Sequence, residues 1–197
     1  DHYQGMPRGG YTPIFEKLLQ GIDLELRTDF FNRRDYWKSI ADKILYTGPI
    51  DRYFDYRFGR LTWRSIRTEI EAMPCDDYQG ISMMNYADRE VPYTRIVEPK
   101  HFYRERAHLT RGTVIIREYP HDDPAEPYYP VGLKADREML ARYQRAQADE
   151  KNVIFGGRLA EYRYYDMHQV IAGALRTVEK LTGAELWPKK ASSNEGS

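Results

Sequence analysis

Ile14, Phe15, Leu18, Leu19 and Ile22 recur at helical spacing behind Thr12-Pro13, a pair that reads as an N-cap followed by proline at the first helical position. A short helix is predicted there, interrupted at Gly21. Residues 23–30 alternate Leu24 and Leu26 with charges, which predicts a half-buried strand. Residues 43–47 predict a second strand, stopped by Gly48-Pro49, and a polar, basic stretch at 32–38 lies between the two.

From 61 to 119 the pattern changes to short runs rich in Thr, Val, Ile and Tyr, separated by Pro, Gly and Asp clusters. Antiparallel strands are predicted at 61–70, 80–86, 92–98 and 113–119, forming one sheet. Four prolines between 120 and 130 predict an extended surface crossing. A charged helix follows at 136–147, then a buried strand at 152–155 that ends at Gly156-Gly157. In the last predicted helix Met167, Val170, Ile171, Ala174, Leu175, Val178 and Leu181 form a continuous apolar stripe. Asp166 with Gln169 fits a capping-box start and Gly183 a C-terminal stop. The tail 188–197 is polar. The elements together predict an α+β fold.

Composition narrows the chemistry. Thirty basic residues balance thirty acidic ones, so the chain carries no electrostatic footprint for nucleic acid or anionic lipid. With 41% apolar and 14% aromatic residues a core is expected rather than disorder. The single Cys75 excludes a disulfide framework and a CxxC metal site and points to a reducing compartment. No apolar run is long enough for a membrane helix and the N-terminus has no leader pattern, so a cytoplasmic location is expected. The chain opens without methionine and its mean hydropathy is −0.76, from which a piece of a larger protein is expected. The five histidines show no HExxH or HxxxH spacing, and GxSxG, GKS/GKT and GxGxxG are absent, so no metal site is expected.

What remains is tyrosine clustered with arginine, at 53–57, 93–95, 117–119, 128–129 and 162–166. Arginine forks suit phosphate, and phenols offer flat faces with a polar tip, so the pair suits a nucleotide sugar. The same composition equally describes tyrosine-rich strands packing a thin sheet with solvated arginines outside.

Six ordered motifs carry a resemblance: GMPRGGYT at 5–12, YTGPIDRYFDYRFG at 46–59, VPYTRIVEPKHF at 91–102, REYP at 117–120, EPYYPV at 126–131 and VIFGGRLAEYRYYDMHQVI at 153–171. Taken together the sequence resembles the C-terminal part of prokaryotic UDP-galactopyranose mutases. It departs from their pattern at Pro99 and Trp63, and it lacks the Gly-rich dinucleotide turn and the helical domain with which the family opens.

The resemblance implies the strand and helix part of a Rossmann-like FAD-binding domain beside the antiparallel substrate sheet, in the style of glutathione-reductase-like flavoproteins. Residues 1–50 and 136–187 would belong to the FAD domain and 51–135 to the substrate domain. The implied reaction interconverts UDP-galactopyranose and UDP-galactofuranose for cell-surface polysaccharide, with N5 of reduced FAD as nucleophile at the anomeric carbon. The implied partners are the missing N-terminal half and a second copy in a homodimer.

The resemblance also assigns residues. Arg95 would bind the diphosphate near the flavin and act in catalysis with Tyr164 and Asp166. Tyr3, Arg64, Asn85, Glu118 and Tyr129 would join Arg95 and Tyr164 on the substrate. Gly157, Arg158, Asp166, Met167 and His168 would contact the cofactor, the last two through amides at a helix N-terminus. Two alternatives stand: an inactive UDP-binding or structural fragment, and a related flavin amine oxidase or monooxygenase.

Overall fold

The computed structural model describes residues 5–103, 105, 111–122 and 126–186, and the chain divides into two compact units. The first comprises residues 1–37 and 65–122; the second comprises 38–64 and 123–197.

The first unit is built on strands β2 (Trp63–Met73, from Ser65 onward), β3 (Met83–Asn85), β4 (Arg95–Val97) and β5 (Thr113–His121), in the order β3-β4-β5-β2 with all neighbours antiparallel. The sheet foreseen from the short runs rich in Thr, Val, Ile and Tyr is therefore present, with shorter strands at β3 and β4. Ile96 and Ile115 are fully buried in its centre. The outer half of β2 is exposed, Ile70 included.

Two sequence expectations in this unit are corrected, and a stretch for which no element was predicted gains one. Helix α1 spans Thr12–Leu18, but Thr12 lies inside it; Tyr11 is the N-cap and makes no side-chain cap bond. Residues 23–30 form turns instead of a strand, with Leu24 and Leu26 exposed and no pairing partner among the described residues. The basic stretch is helical, as a 3-10 turn at Phe30–Arg33 that leads into α2 (Arg34–Ile40), opened by the Asp29 carboxylate accepting the Phe31 amide at 3.0 Å.

In the second unit β1 (Ile44–Tyr46) and β7 (Val153–Phe155) pair in parallel, joining segments more than a hundred residues apart. Around this pair pack Tyr53 and Phe54 from α3 (Ile50–Tyr53) and its C-cap, and Tyr143 from α4 (Lys134–Gln147). Tyr46, Tyr53, Phe54 and Phe155 make edge and stacked ring contacts at 4.8 to 5.8 Å between centroids. The end of α3 is turned sharply by two consecutive left-handed residues, Asp55 and Tyr56, with the Tyr56 amide donating to the Asp51 carbonyl at 2.8 Å.

Buried polar groups in this unit are satisfied. Asp136 accepts from the amides of Thr62 and Leu133, the Thr62 hydroxyl and the Tyr162 hydroxyl, all within 3.1 Å. Asp51 accepts the Leu61 and Arg52 amides at 2.9 Å; burial nonetheless pushes its carboxyl above the ordinary range.

After β7 come the single turn α5 (Gly157–Ala160) and helix α6 (Met167–Thr182). Asp166 is its N-cap with Gln169 reaching back to the Asp166 amide at 2.8 Å, and Gly183 closes it in the left-handed conformation, as the sequence indicated. No α6 residue is buried, and Met167, Ile171 and Leu181 are more than half exposed. The extended crossing lies partly outside the described residues; its end, Tyr129–Pro130, is a short strand β6 paired with Trp63 and Arg64.

Candidate functional site

In the first unit the backbone register brings three predicted residues into one row. Asn85 on β3 lies opposite Arg95 on β4, and Arg95 lies opposite Glu118 on β5. Paired residues on neighbouring strands share a face, so their side chains meet. Arg95 Nε donates to Asn85 Oδ1 at 2.9 Å, and an Arg95 terminal nitrogen stands 3.5 Å from Glu118 Oε2. One edge of the guanidinium is thus held by an amide and a carboxylate while about a third of the side chain remains open to solvent. Such a fork is oriented for an anion without being consumed by its neighbours. Beside this row Tyr93 makes edge contacts with Tyr86 and Tyr119 at 4.9 and 5.9 Å, an aromatic wall on the same three-strand region.

In the second unit the pairing of Arg64 with Tyr129 sets the other group. Tyr164 stacks on Tyr129 with centroids 5.3 Å apart and planes 17° from parallel. The Arg158 guanidinium sits 5.3 and 5.0 Å from the two ring centres. Its nitrogens donate to the Tyr165 carbonyl and, at 3.1 Å, to the Tyr128 carbonyl, so Arg158 ties the segment after α5 to the segment before β6. Glu161 accepts the Gly157 amide and the Tyr165 hydroxyl. Tyr164 is 59% exposed, so the stacked ring stays largely open to solvent.

At α6 the first intrahelical bonds are those of Gln169 and Val170 to the Asp166 carbonyl, which leaves the Met167 and His168 amides directed out of the helix start. Gly157 is left-handed, and nothing lies within 4 Å of where its side chain would be. Tyr3 lies outside the described residues.

A cleft of about 830 Å³ in the second unit is lined by Asp51, Arg52, Tyr56, Arg60, Trp63 and Leu159, among others. Arg60 lies over the Tyr56 ring at 3.7 Å. None of Asp51, Arg52 or Arg60 was singled out from the sequence. The signal was available, because Asp51 and Arg52 fall within the YTGPIDRYFDYRFG motif and Arg60 follows it directly, but spacing alone gives no reason to join Arg60 to Tyr56.

A profile of the UDP-galactopyranose mutase family matches residues 1–164. This chain belongs to that family. It is 38% identical over 184 residues to a probable UDP-galactopyranose mutase of Klebsiella pneumoniae, covering 90% of this chain and 46% of the relative. It is 37% identical over 185 residues to dTDP-fucopyranose mutase of Escherichia coli, covering 90% and 48%. A UDP-galactopyranose mutase of Mycoplasma pneumoniae is 32% identical over 198 residues, again covering 90% and 48%. The chain therefore spans about half the length of the curated relatives it matches. Family membership accords with the ordered motifs, five of which contribute at least one of the side chains described above. No helix among the described residues is long and apolar enough to cross a membrane.

Proposed function

We propose that this chain is the substrate-binding and C-terminal part of a flavin-dependent mutase that interconverts UDP-galactopyranose and UDP-galactofuranose. The observation that carries this reading is the Asn85, Arg95, Glu118 row, in which the arginine is oriented on one edge and open on the other. An arginine held this way binds a diphosphate and stabilises it as it departs and returns, a task that needs a fixed, delocalised charge. Tyr129 and Tyr164 present a stacked phenol pair that donates neutral hydrogen bonds or shelves a ring of the substrate. Glu118 and Asn85 hold the arginine and offer acceptors to sugar hydroxyls.

The residues present fit a flavin. Gly157 keeps backbone open to a close approach, and the Met167 and His168 amides at the start of a 16-residue helix favour negative charge. FAD in its reduced form would supply the nucleophile for the sugar. Arg158, held by two backbone carbonyls, keeps two further N–H groups for the cofactor contact that the resemblance implies.

Two observations support a need for the remainder of a family-length protein, cytoplasmic and dimeric by the same reading. Among the described residues the parallel β1–β7 sheet has only two strands, whereas parallel strands are ordinarily covered on both faces. The apolar stripe of α6 is uncovered. The test is to assay UDP-galactopyranose consumption by chromatography under dithionite, with the 197-residue chain and with a family-length protein containing it. Flavin absorption and turnover in the longer protein, lost in its Arg95→Ala variant, are expected. Wild-type turnover in a flavin-loaded Arg95→Ala protein would overturn the assignment, and turnover of dTDP-fucopyranose but not UDP-galactopyranose would overturn the substrate.

A further inference from the structure

One corner of the first unit, where segments 76–80, 98–102 and 111–113 meet, holds a cluster that the mutase chemistry does not use. His101, in the 3-10 turn Pro99–Phe102, sets Nε2 3.1 Å from Asp77 Oδ1 and 3.4 Å from Glu98 Oε2. One ligand-type atom from each of the three residues lies within 4.8 Å of the other two. Glu98 is fully buried, and its oxygens are aimed by the Tyr78 and Gln79 amides at 3.0 to 3.3 Å. Asp77 is fixed by accepting the Gly80 amide at 2.7 Å.

The spacings have chemical meaning. Zinc bonds of about 2.0 to 2.2 Å to nitrogen and oxygen place neighbouring tetrahedral ligands about 3.4 Å apart, close to the 3.1 and 3.4 Å found between His101 and the two carboxylates. Two carboxylates and a neutral imidazole together balance one divalent cation. The local lysine does not fill that role, since Lys100 Nζ donates to the Asp76 and Gly112 carbonyls.

An independent observation lies beneath the cluster. Thr113 is 6% exposed, and its hydroxyl finds no hydrogen-bond partner among the described residues, although it lies close enough to the Glu98 carboxylate to favour the ionised form. A buried hydroxyl left unpaired beside a carboxylate is a feature that a cation relieves.

We propose that Asp77, Glu98 and His101 form a divalent-metal site with zinc as the matching ion, its remaining position open on the exposed Asp77 side. The ion ties the 76–80 segment to the end of β4, three residues beyond Arg95, and so braces the sheet corner. It takes no part in the isomerisation, so this inference stands or falls separately from the function proposed above.

The test uses the 197-residue chain stripped with EDTA and titrated with zinc by calorimetry, with melting followed in parallel. One equivalent of zinc and a raised melting temperature are expected. His101→Ala and Asp77→Ala should each weaken binding by about tenfold or more, and Cys75→Ser should leave it unchanged. Absence of uptake, uptake unchanged in His101→Ala, or uptake lost in Cys75→Ser would each overturn the site. If the alanine variants fail to fold, cobalt substitution of the wild-type chain decides. Tetrahedral visible bands without thiolate charge transfer are expected, and an octahedral spectrum or thiolate bands would overturn the proposal.

Discussion

Arg95 and Asn85 face each other across β3 and β4, and the amide oxygen of Asn85 receives the Arg95 Nε proton at 2.9 Å. That bond fixes the guanidinium plane, so the two residues should behave differently on mutation. In a family-length, reduced protein Arg95→Ala removes a charge-assisted contact of about 1.5 to 3 kcal/mol, roughly 10- to 150-fold in kcat/KM for UDP-galactopyranose. Asn85→Ala leaves the charge and loosens its aim, with a smaller loss expected. Both positions lie on an exposed row, so urea midpoints should hardly move.

Asp166 has two possible employments, as helix cap and as a charge near the reacting groups. Asp166→Asn keeps a good capping residue, and the change in unfolding free energy should stay within a few tenths of a kcal/mol. A drop in turnover with an unchanged melting temperature is expected; equal losses in both would assign Asp166 to the cap alone.

Tyr162 is buried in a left-handed turn, with its hydroxyl 2.6 Å from the Thr62 carbonyl, 3.0 Å from Asp136 and accepting the Gly132 amide at 3.2 Å. Tyr162→Phe strands these partners and should cost about 1 to 3 kcal/mol in urea unfolding. Burial, reinforced by Asp136, pushes the phenol up to about 12, above its ordinary value near 10. Between these pH values the unfolded chain releases the proton first. The stabilisation is therefore complete below pH 10 and lost as pH rises toward 12, a fall of about 2 to 3 kcal/mol. Tyr162→Phe should remove that component of the slope, measured as the difference between the two proteins.

Ile171 is 55% exposed on the uncovered stripe of α6. Ile171→Lys in the 197-residue chain should change stability by no more than about 0.5 kcal/mol while reducing self-association in sedimentation velocity. On the reading proposed above, the same change in a family-length protein should cost substantially more, since the stripe would there pack against the remainder of the protein.

Much of the local structure was legible. Asp166, Gln169 and Gly183 bounded α6 because caps act through hydrogen bonds to neighbours a few residues away. The Thr, Val and Ile run at 113–116 marked β5 because β-branched side chains suit a pleated, half-buried strand. Alternation misled at 23–30, where Leu24 and Leu26 alternate but no described strand pairs with them. It was also silent at 32–38, where a helix forms over a polar, aromatic sequence with little apolar period. Family motifs named Tyr129 and Tyr164, and the wider resemblance added Arg64, but no spacing rule foretold that Arg158 would lie over both tyrosine rings.

By itself the sequence determined the family, the turns and caps, the mixed α and β content, and which arginines and tyrosines deserved attention, because all of these are carried by short-range pattern or ordered motifs. Tertiary structure decided the row of Asn85, Arg95 and Glu118, the parallel pairing of β1 with β7, and the meeting of Asp77 with Glu98 and His101. Those relations join residues that are three to more than a hundred positions apart. Whether such residues touch is set by strand register and loop closure, which depend on how the whole unit buries its apolar surface and satisfies its backbone.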